Sequence, residues 1–280
     1  MICIYHGNCF DGWTAAWVVK NNYPDILLHR EVYDRPANVP DVKDQDVIIV
    51  DYTYKRDIME RILNEAKSLL VLDHHKTAEE ALKGMPQENF IFDMKRSGAG
   101  IAWDYFHAPM WHRPWLVDYI EDRDIWNKFL PNTDIIHAFI ASHKRTMENW
   151  DMLAEMPLEE AVEKGRAIHN FMERYIEAVV KEARKTTWMG LDIAVVNCPY
   201  LMCSEIGNRL CKEMDVAFSV SWFQNPTGQY NYSLRSIGDF DVSKVAAAFG
   251  GGGHKNAAGF TSNTQIENMQ TAYNWRSINV

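Results

Sequence analysis

The sequence predicts an α/β fold: an N-terminal domain with a doubly wound parallel sheet, a long linking helix, and a smaller C-terminal domain with a mixed sheet. Three observations support this prediction. Short apolar runs alternate with amphipathic segments up to residue 106, as in a parallel sheet covered by helices on both faces. Residues 157–188 carry apolar side chains three and four positions apart, which is typical of a helix. Residues 216–223 and 230–236 alternate in polarity, as strands do.

The first domain is predicted to contain five strands. These are ICIY (2–5), DILLHRE (25–31), VIIVD (47–51), SLLVLD (68–73) and NFIFDM (89–94). A polar loop follows the second strand, and helical segments follow the other four, at 11–22, 55–68, 77–85 and 98–106. The spacing predicts a further helix over VDYIEDRDIWNKF, residues 117–129.

One long helix is predicted to join the two domains. It begins at Pro157, a residue favoured in the first turn of a helix, and runs to residue 188. The predicted domains are therefore residues 1–155 and 189–280, with residues 156–188 linking them. In the second domain we predict a strand at 191–197 and helices at 204–214 and 242–249, before the glycine-rich segment GGGGHKNAAGF (250–260).

The composition is that of a folded globular protein, with 47% hydrophobic residues and a net charge of −9. An acidic chain is a poor binder of long duplex DNA, because such binding depends on many Lys and Arg contacts to phosphate. The apolar runs are too short to cross a membrane and the N-terminus lacks a secretion signal, so we expect a cytoplasmic protein with no membrane partner. The five cysteines include no C-x-x-C pair, which predicts reduced thiols and no structural zinc.

Carboxylates and imidazoles collect at the ends of the predicted strands. They are His6, Asp11, Asp51, Asp73, His74 and His75. In an open parallel sheet the ligand site lies beyond the carboxyl ends of the strands, so we expect these side chains to converge. The helix predicted at 117–129 adds Asp122 and Asp124, and their spacing lets one of them turn toward the same edge.

Such a mixture of oxygen and nitrogen ligands predicts a site for two divalent ions. Manganese suits it best and magnesium is the alternative, because zinc favours thiolates or a histidine-dominated tetrahedron. Two ions close together can clamp a phosphoryl group and lower the pKa of a water molecule, so phosphoester hydrolysis is the leading reaction. Asp51, at the tip of a central strand, is the candidate that bridges both ions.

Two motifs resemble those of one known family. LDHHK (72–76) resembles the signature of the DHH phosphoesterases, and FGGGGHKNAAGF (249–260) resembles that of the DHH-associated C-terminal domain. HGNCFDG (6–12), VDYTY (50–54) and EDRDIW (121–126) extend the resemblance over nearly the whole chain. The resemblance is to the nano-RNase, cyclic-dinucleotide phosphodiesterase and RecJ-like branches of the family.

The resemblance implies a role for each residue at the strand ends. His6 and Asp51 would bind one manganese ion; the second would be bound by Asp11, Asp51, His74 and Asp124. His75 would contact the scissile phosphate or assist the leaving group, and Asp73 would orient the two histidines. Asp122 competes with Asp124 for the fourth carboxylate, and we favour Asp124 because it directly precedes the apolar pair IW.

The chain departs from the family pattern at Cys9. Many members carry an aspartate at this position, two residues before the one that matches Asp11. The departure predicts that the first ion is held more weakly, or with help from Asn8 or water.

In the C-terminal domain, glycine lets backbone amides approach a phosphate closely. The resemblance implies substrate contacts from Arg235, Ser236, Gly252, Gly253 and His254. The reacting phosphate would sit on the ions of the first domain, and closure of the second domain would exclude water.

The resemblance implies a manganese-dependent phosphodiesterase that hydrolyses short oligonucleotides to 5′-mononucleotides by a two-metal mechanism. The same metal site would serve a phosphodiesterase for cyclic mononucleotides or dinucleotides, so the sequence does not separate these substrates. A catalytically silent nucleotide- or RNA-binding module is the alternative from another class, and Cys9 leaves it open. Whether the active species is a homodimer also stays open.

Overall fold

The computed structural model describes residues 1–33, 36–86, 88–108, 111–188 and 190–266. The chain divides into two compact units between Phe171 and Met172. This division lies inside the long helix, and the domain boundaries at 155 and 188 stay a prediction. Among the described residues, no helix is both long and apolar enough to cross a bilayer.

The first unit is built on a parallel sheet of five strands. They are β1 (Ile2–His6), β2 (Leu27–Glu31), β3 (Asp46–Val50), β4 (Ser68–Asp73) and β5 (Phe90–Phe92). Their order is β2-β1-β3-β4-β5, and every neighbouring pair is parallel. The prediction of a parallel sheet is therefore confirmed.

Helices cover both faces of this sheet. They are α1 (Phe10–Asn22), α2 (Arg56–Glu65), α3 (Lys76–Leu82), α4 (Gly98–Phe106), α5 (Trp115–Asp124), α6 (Thr133–Ala141), α7 (Met147–Glu155) and α8 (Leu158–Lys181). The side chains of β3 alternate between two cores: Ile48 and Val50 pack with α1 and α4, whereas Val47 and Ile49 pack with α2 and α3. A strand buried on both faces needs a continuous apolar run, which the sequence VIIV provides.

The long helix α8 is shorter than predicted. It ends at Lys181, and residues Arg184–Trp188 form a strand, β6, which pairs antiparallel with β7 (Leu191–Asn197). β-Branched and aromatic residues favour a strand, and Thr186, Thr187 and Trp188 are of this kind. The pairing also gives Thr187 Oγ1 a hydrogen bond to Asp192 Oδ1 at 3.1 Å.

The second unit contains a mixed sheet, as predicted. Besides β6 and β7 it has β8 (Phe218–Gln224), β9 (Tyr230–Arg235), β10 (Gly252–His254) and β11 (Ala257–Ser262). The order is β10-β11-β9-β8-β7-β6, in which only the β7–β8 pair is parallel. One face of the sheet packs against α9 (Cys203–Glu213) and the other against α10 (Val242–Ala248).

Candidate metal centre

The candidate site lies at the carboxyl ends of three adjacent strands of the first unit. β1 ends at His6, Asp51 directly follows β3, and Asp73 ends β4 ahead of His74 and His75. Because β1, β3 and β4 are neighbours and parallel, these ends meet at one edge of the sheet. The structure therefore brings together the strand-end residues that the sequence singled out.

Asp51 occupies the centre of this edge and is almost fully buried. Its backbone is in the left-handed region with φ 51°, which aspartate tolerates better than most residues. Its Oδ1 atom lies 3.1 Å from His74 Nε2, and its Oδ2 atom lies 3.1 Å from Cys9 Sγ and 3.7 Å from His6 Nδ1. The two carboxylate oxygens thus face two different sets of potential ligands.

The set on the Oδ1 side contains three carboxylates and one imidazole. His74 Nε2 lies 3.7 Å from Asp11 Oδ2, 3.1 Å from Asp51 Oδ1 and 3.5 Å from Asp124 Oδ2. Asp11 and His74 are buried, whereas the Asp124 side chain is 29% exposed. Asp124 is therefore the member of this set with the greatest access to solvent.

The set on the Oδ2 side contains His6, Cys9 and Asp51. Cys9 Sγ is 3.1 Å from His6 Nδ1 and 3.1 Å from Asp51 Oδ2. Potential ligand atoms of Asp11, Asp51 and His74 all lie within 4.8 Å of one another. The same holds for potential ligand atoms of His6, Cys9 and Asp51.

The donor chemistry fits divalent cations. Burial alone would raise the pKa of Asp51, but the neighbouring His6 and His74 imidazoles hold that pKa well below its usual range. Burial opposes a charge on His74, yet Asp51, Asp124 and Asp11 together raise its pKa well above its usual value. Asp51 Oδ1 is also buried and makes no hydrogen bond of acceptable geometry within the described structure. A carboxylate-rich site that raises the pKa of an imidazole is suited to bind a metal ion in place of the proton.

Asp11 is held by the start of helix α4. Its Oδ2 atom accepts a hydrogen bond from Gly98 N at 2.6 Å, and its Oδ1 atom accepts one from Ala99 N at 3.0 Å. Burial nevertheless raises the pKa of Asp11, and the neighbouring Asp51 and Asp124 carboxylates add to this rise. The helix N-terminus stabilises the carboxylate and fixes its orientation.

Two glycines of the site were missed by the sequence analysis. A Cβ atom on Gly98 would lie 2.6 Å from Asp51 Cβ, and one on Gly12 would lie 2.3 Å from His6 O and 2.8 Å from Asp51 Oδ2. Both positions therefore need glycine because the neighbouring groups approach too closely for a side chain. The signal was present as DG at the end of HGNCFDG and as SGAG at the start of α4.

Asp73 fixes the segment that carries the two histidines. Its Oδ1 atom accepts hydrogen bonds from the backbone nitrogens of His74 at 2.7 Å and His75 at 3.2 Å, and lies 2.7 Å from His75 Nδ1. Its Oδ2 atom accepts a 2.6 Å hydrogen bond from Thr53 Oγ1. Burial works against a charged His75, but Asp73 raises the pKa of this imidazole above its usual value. Thr53 is a further supporting residue that the sequence analysis missed.

Asp122 and Asp124 have different surroundings. Asp122 accepts hydrogen bonds from Phe129 N at 2.8 Å and Thr133 Oγ1 at 2.5 Å, so it organises the loop after α5. That loop also explains why α5 ends at Asp124 and not at residue 129, since Trp126 and Lys128 have positive φ angles. Of the two carboxylates, Asp124 is the one beside His74.

The candidate substrate residues of the second unit lie at one corner of its sheet. Arg235 ends β9 opposite Ala257, and Gly253 pairs with Ala258 across the β10–β11 hairpin. The Arg235 guanidinium donates to Ser204 Oγ at 2.6 Å and to Ser233 Oγ at 3.0 Å.

The other candidates differ in exposure and conformation. Ser236 is buried and donates to Phe240 O at 2.7 Å. Gly253 has φ 140°, a conformation that favours glycine, and lies in β10 between Gly252 and His254. Binding of substrate by these residues stays a prediction.

Comparison with known proteins adds a family and a fold. A DHHA1 domain model matches residues 193–274. An uncharacterized protein, R106, of Acanthamoeba polyphaga mimivirus is 30% identical over 284 residues, covering 92% of this chain. The chain spans 66% of the length of that relative.

Two solved structures share the fold. An exopolyphosphatase-related protein from Bacteroides fragilis is 14% identical with a TM-score of 0.54, covering 95% of this chain and 87% of that one. A DHH domain described as a member of the S1p family of ribosomal proteins is 13% identical with a TM-score of 0.51, covering 92% and 81%. Residues 193–274 therefore carry a DHHA1 domain, and the LDHHK motif at the end of β4 resembles the signature of the DHH phosphoesterases.

Proposed function

We propose that the chain is a divalent-cation-dependent phosphodiesterase that hydrolyses short oligonucleotides to 5′-mononucleotides, with Mn²⁺ as its preferred ion. The observation that carries this proposal is the division of the Asp51 carboxylate between two sets of ligands. Oδ1 lies beside His74, whose Nε2 atom also lies near Asp11 and Asp124. Oδ2 lies beside His6 and Cys9. A carboxylate shared in this way is suited to bridge two cations.

Asp11, Asp51, His74 and Asp124 would hold one cation, and His6 with Asp51 would hold the other. Two such cations would polarise the phosphate, supply a water of lowered pKa and stabilise the leaving oxygen. The contribution of the chain is to hold these ligands rigidly. Asp11 is fixed by the N-terminus of α4, and His74 is fixed through its backbone bond to Asp73.

His75 would bind the phosphate directly. Asp73 lies 2.7 Å from its Nδ1 atom and, against the opposing effect of burial, raises the pKa of the ring, which favours the imidazolium form. An imidazolium can donate a hydrogen bond to a phosphate oxygen or to the leaving oxygen. Asp73 and Thr53 would then act on the reaction by orienting this ring.

The second unit would bind the remainder of the nucleotide. The DHHA1 match includes Arg235, Ser236 and the segment Gly252–His254. Backbone amides in a glycine-rich hairpin can approach a phosphate without hindrance from side chains. The guanidinium of Arg235 adds a positive charge at the same corner of the sheet.

The acidic net charge of −9 favours short substrates over long duplexes, because binding a long duplex depends on many Lys and Arg contacts to phosphate. A cyclic dinucleotide is the second candidate substrate, since it presents the same phosphodiester to the same ligands. The choice between the two is experimental.

The test compares a linear dinucleotide, a pentaribonucleotide and a cyclic dinucleotide with Mn²⁺ present, and identifies the products by chromatography. We expect 5′-mononucleotides from both linear substrates and persistence of the cyclic one. The His75→Gln variant should bind Mn²⁺ normally but lose about 10²-fold to 10⁴-fold in rate. Preferential loss of the cyclic substrate would move the function to cyclic-nucleotide turnover. Absence of turnover in protein that has bound its cations would contradict the proposal.

A further inference from the structure

Cys9 sits at the centre of the smaller set of ligands. Its Sγ atom lies 3.1 Å from His6 Nδ1 and 3.1 Å from Asp51 Oδ2, and accepts a hydrogen bond from Gly12 N at 3.2 Å. The nitrogen and oxygen atoms of His6 and Asp51 are 3.7 Å apart. Three different donor types thus lie within 3.7 Å of one another.

These separations fit coordination of one ion. Metal bonds of about 2.3 Å to sulfur and about 2.0 to 2.2 Å to nitrogen and oxygen, in tetrahedral geometry, keep the ligand atoms about 3.4 to 3.6 Å apart. Each of the three observed separations is within about half an ångström of this range. Three protein ligands would leave a fourth position for water or a substrate oxygen, as in catalytic sites.

Helix capping alone does not account for a cysteine here. Cys9 is the N-cap residue of α1, a position at which Ser, Thr, Asp and Asn are strongly preferred. A thiol is a weaker acceptor than a hydroxyl or carboxylate oxygen, so a purely capping residue would be better served by serine. Burial and the neighbouring Asp51 and Asp11 carboxylates raise the pKa of the Cys9 thiol, and the backbone bond from Gly12 opposes this rise only in part, so a bound cation would have to displace the thiol proton.

The neighbouring amide is not a substitute ligand. Asn8 Oδ1 accepts a hydrogen bond from the Arg30 guanidinium at 2.5 Å. The same guanidinium donates from Nε to Gly7 O at 3.2 Å. The Asn8 side chain is therefore already engaged by Arg30 at the surface of the loop. Cys9 is the neighbouring residue that can act as a ligand together with His6 and Asp51.

We propose that Cys9 is a metal ligand and that the two cation sites are chemically unequal. The site formed by His6, Cys9 and Asp51 would favour a thiophilic ion such as Zn²⁺ or Co²⁺, because a thiolate is a soft donor. The site formed by Asp11, Asp51, His74 and Asp124 would favour Mn²⁺ or Mg²⁺, because three of its donors are carboxylates. This inference rests on the proposed function in one respect, which is that both cations bind at the centre around Asp51.

Cobalt absorption tests the inference independently of hydrolysis. Co²⁺ is titrated into metal-free protein, and the thiolate-to-cobalt charge-transfer band in the near ultraviolet is recorded. In the unmodified protein and in Cys211→Ser, we expect a band whose intensity corresponds to one thiolate ligand per chain. Cys211 is the matched control because it is also half-buried and lies in the second unit, where its thiol donates to Arg235 O. The band should vanish in Cys9→Ser, in which the cap is retained.

A second variant guards against a folding defect in the first. Cys9→Asp replaces the soft donor by a hard one, so the ratio of Zn²⁺ affinity to Mn²⁺ affinity at this site should fall at least about tenfold. Changes in supporting residues already alter metal affinity by about 10-fold to 100-fold, and a direct ligand should matter no less.

Two results would overturn the inference: no band in unmodified protein saturated with Co²⁺, or a band that persists in Cys9→Ser. Either result in protein that still hydrolyses its substrate would leave the proposed function intact. A band of one thiolate in protein that hydrolyses nothing would support the ligand and contradict the function.

Discussion

Asp51 Oδ1 lies 3.1 Å from His74 Nε2, where β3 and β4 end side by side. The two residues are 23 positions apart in the chain, but the parallel pairing of their strands makes them neighbours. The surrounding carboxylates raise the pKa of His74 against the opposing effect of burial, and the same atoms would hold a cation in the metal-bound protein. The competition between proton and cation gives the first prediction.

The apparent affinity for Mn²⁺ should rise with pH. The metal needs a neutral imidazole, and the surrounding carboxylates raise the pKa of His74 against the opposing effect of burial. A proton must therefore leave as the ion binds, and affinity should rise up to about tenfold per pH unit below that pKa. Calorimetry in two buffers of different ionisation enthalpy measures the protons released. An affinity that stays constant between about pH 6 and pH 8 would contradict this account.

The same pair contributes to the pH dependence of stability in the metal-free chain. Because the folded-state pKa of His74 is raised, its contribution is fully present below about pH 6.5 and is lost as pH rises through the folded pKa. Because the folded-state pKa of Asp51 is lowered, its contribution is present above about pH 3.9 and is lost as pH falls through the folded pKa. Thermal unfolding of the metal-free chain across this range serves as the control for the affinity measurement.

Asp122 and Asp124 should respond oppositely to the same substitution. Asp124→Asn is expected to weaken Mn²⁺ binding with little effect on unfolding, because its side chain is partly exposed and lies beside His74. Asp122→Asn is expected to cost about 1 to 3 kcal/mol in the free energy of unfolding, because it weakens buried bonds to Phe129 N and Thr133 Oγ1. Urea denaturation and Mn²⁺ titration on both variants make the comparison. A larger loss of Mn²⁺ affinity in Asp122→Asn than in Asp124→Asn would reverse the assignment.

Thr53 should affect the rate through Asp73 and His75. Thr53→Val keeps the shape of the side chain but leaves Asp73 Oδ2 without its 2.6 Å hydrogen bond, at a cost of about 1 to 3 kcal/mol in stability. We expect kcat to fall while the Mn²⁺ affinity is nearly unchanged, because Asp73 engages the His75 ring. Thr53→Ser, which keeps the hydroxyl, should restore the rate. If the valine and serine variants had equal kcat values, the hydrogen bond would have no role in orienting His75.

Gly98→Ala should displace a carboxylate of the metal centre. A Cβ atom at this position would lie 2.6 Å from Asp51 Cβ and 3.0 Å from Asp11 Oδ2, so one of the two carboxylates must move. We expect Mn²⁺ affinity to fall about 10-fold to 100-fold, and overpacking to destabilise the fold by about 1 to 3 kcal/mol. Equilibrium dialysis and urea denaturation measure the two effects. Normal affinity in this variant would show that α4 does not position Asp11.

The parallel sheet and its functional edge were predictable because both depend on local signals. Apolar runs such as VIIV mark strands, and the polar residues directly after them must lie at the strand ends. The order of the strands and the helices α6 and α7 were not predicted. Strand β6 was merged into the preceding helix because Thr186 and Thr187 acquire their extended conformation from pairing with β7, which is a tertiary effect.

The contacts that orient the ligands could not be predicted from one sequence. Asp11 is held by backbone nitrogens 87 and 88 positions away, at Gly98 and Ala99. The approach of Cys9 to His6 and Asp51 likewise depends on the packing of α1 against β1 and β3. Residue types at strand ends therefore predicted where the chemistry lies, and the fold was needed to show which atoms meet.

The most direct test of the account is the number of divalent cations bound at saturation, measured with Co²⁺ because both sets of ligands should accept it. Equilibrium dialysis followed by elemental analysis gives this number for the unmodified chain, for Asp51→Asn and for the control Asp122→Asn. The account predicts two cations per chain in the unmodified protein and the control, and fewer than one in Asp51→Asn, since Asp51 contributes to both sites. A single cation in the unmodified chain, or two retained in Asp51→Asn, would contradict the claim that Asp51 bridges a two-cation centre.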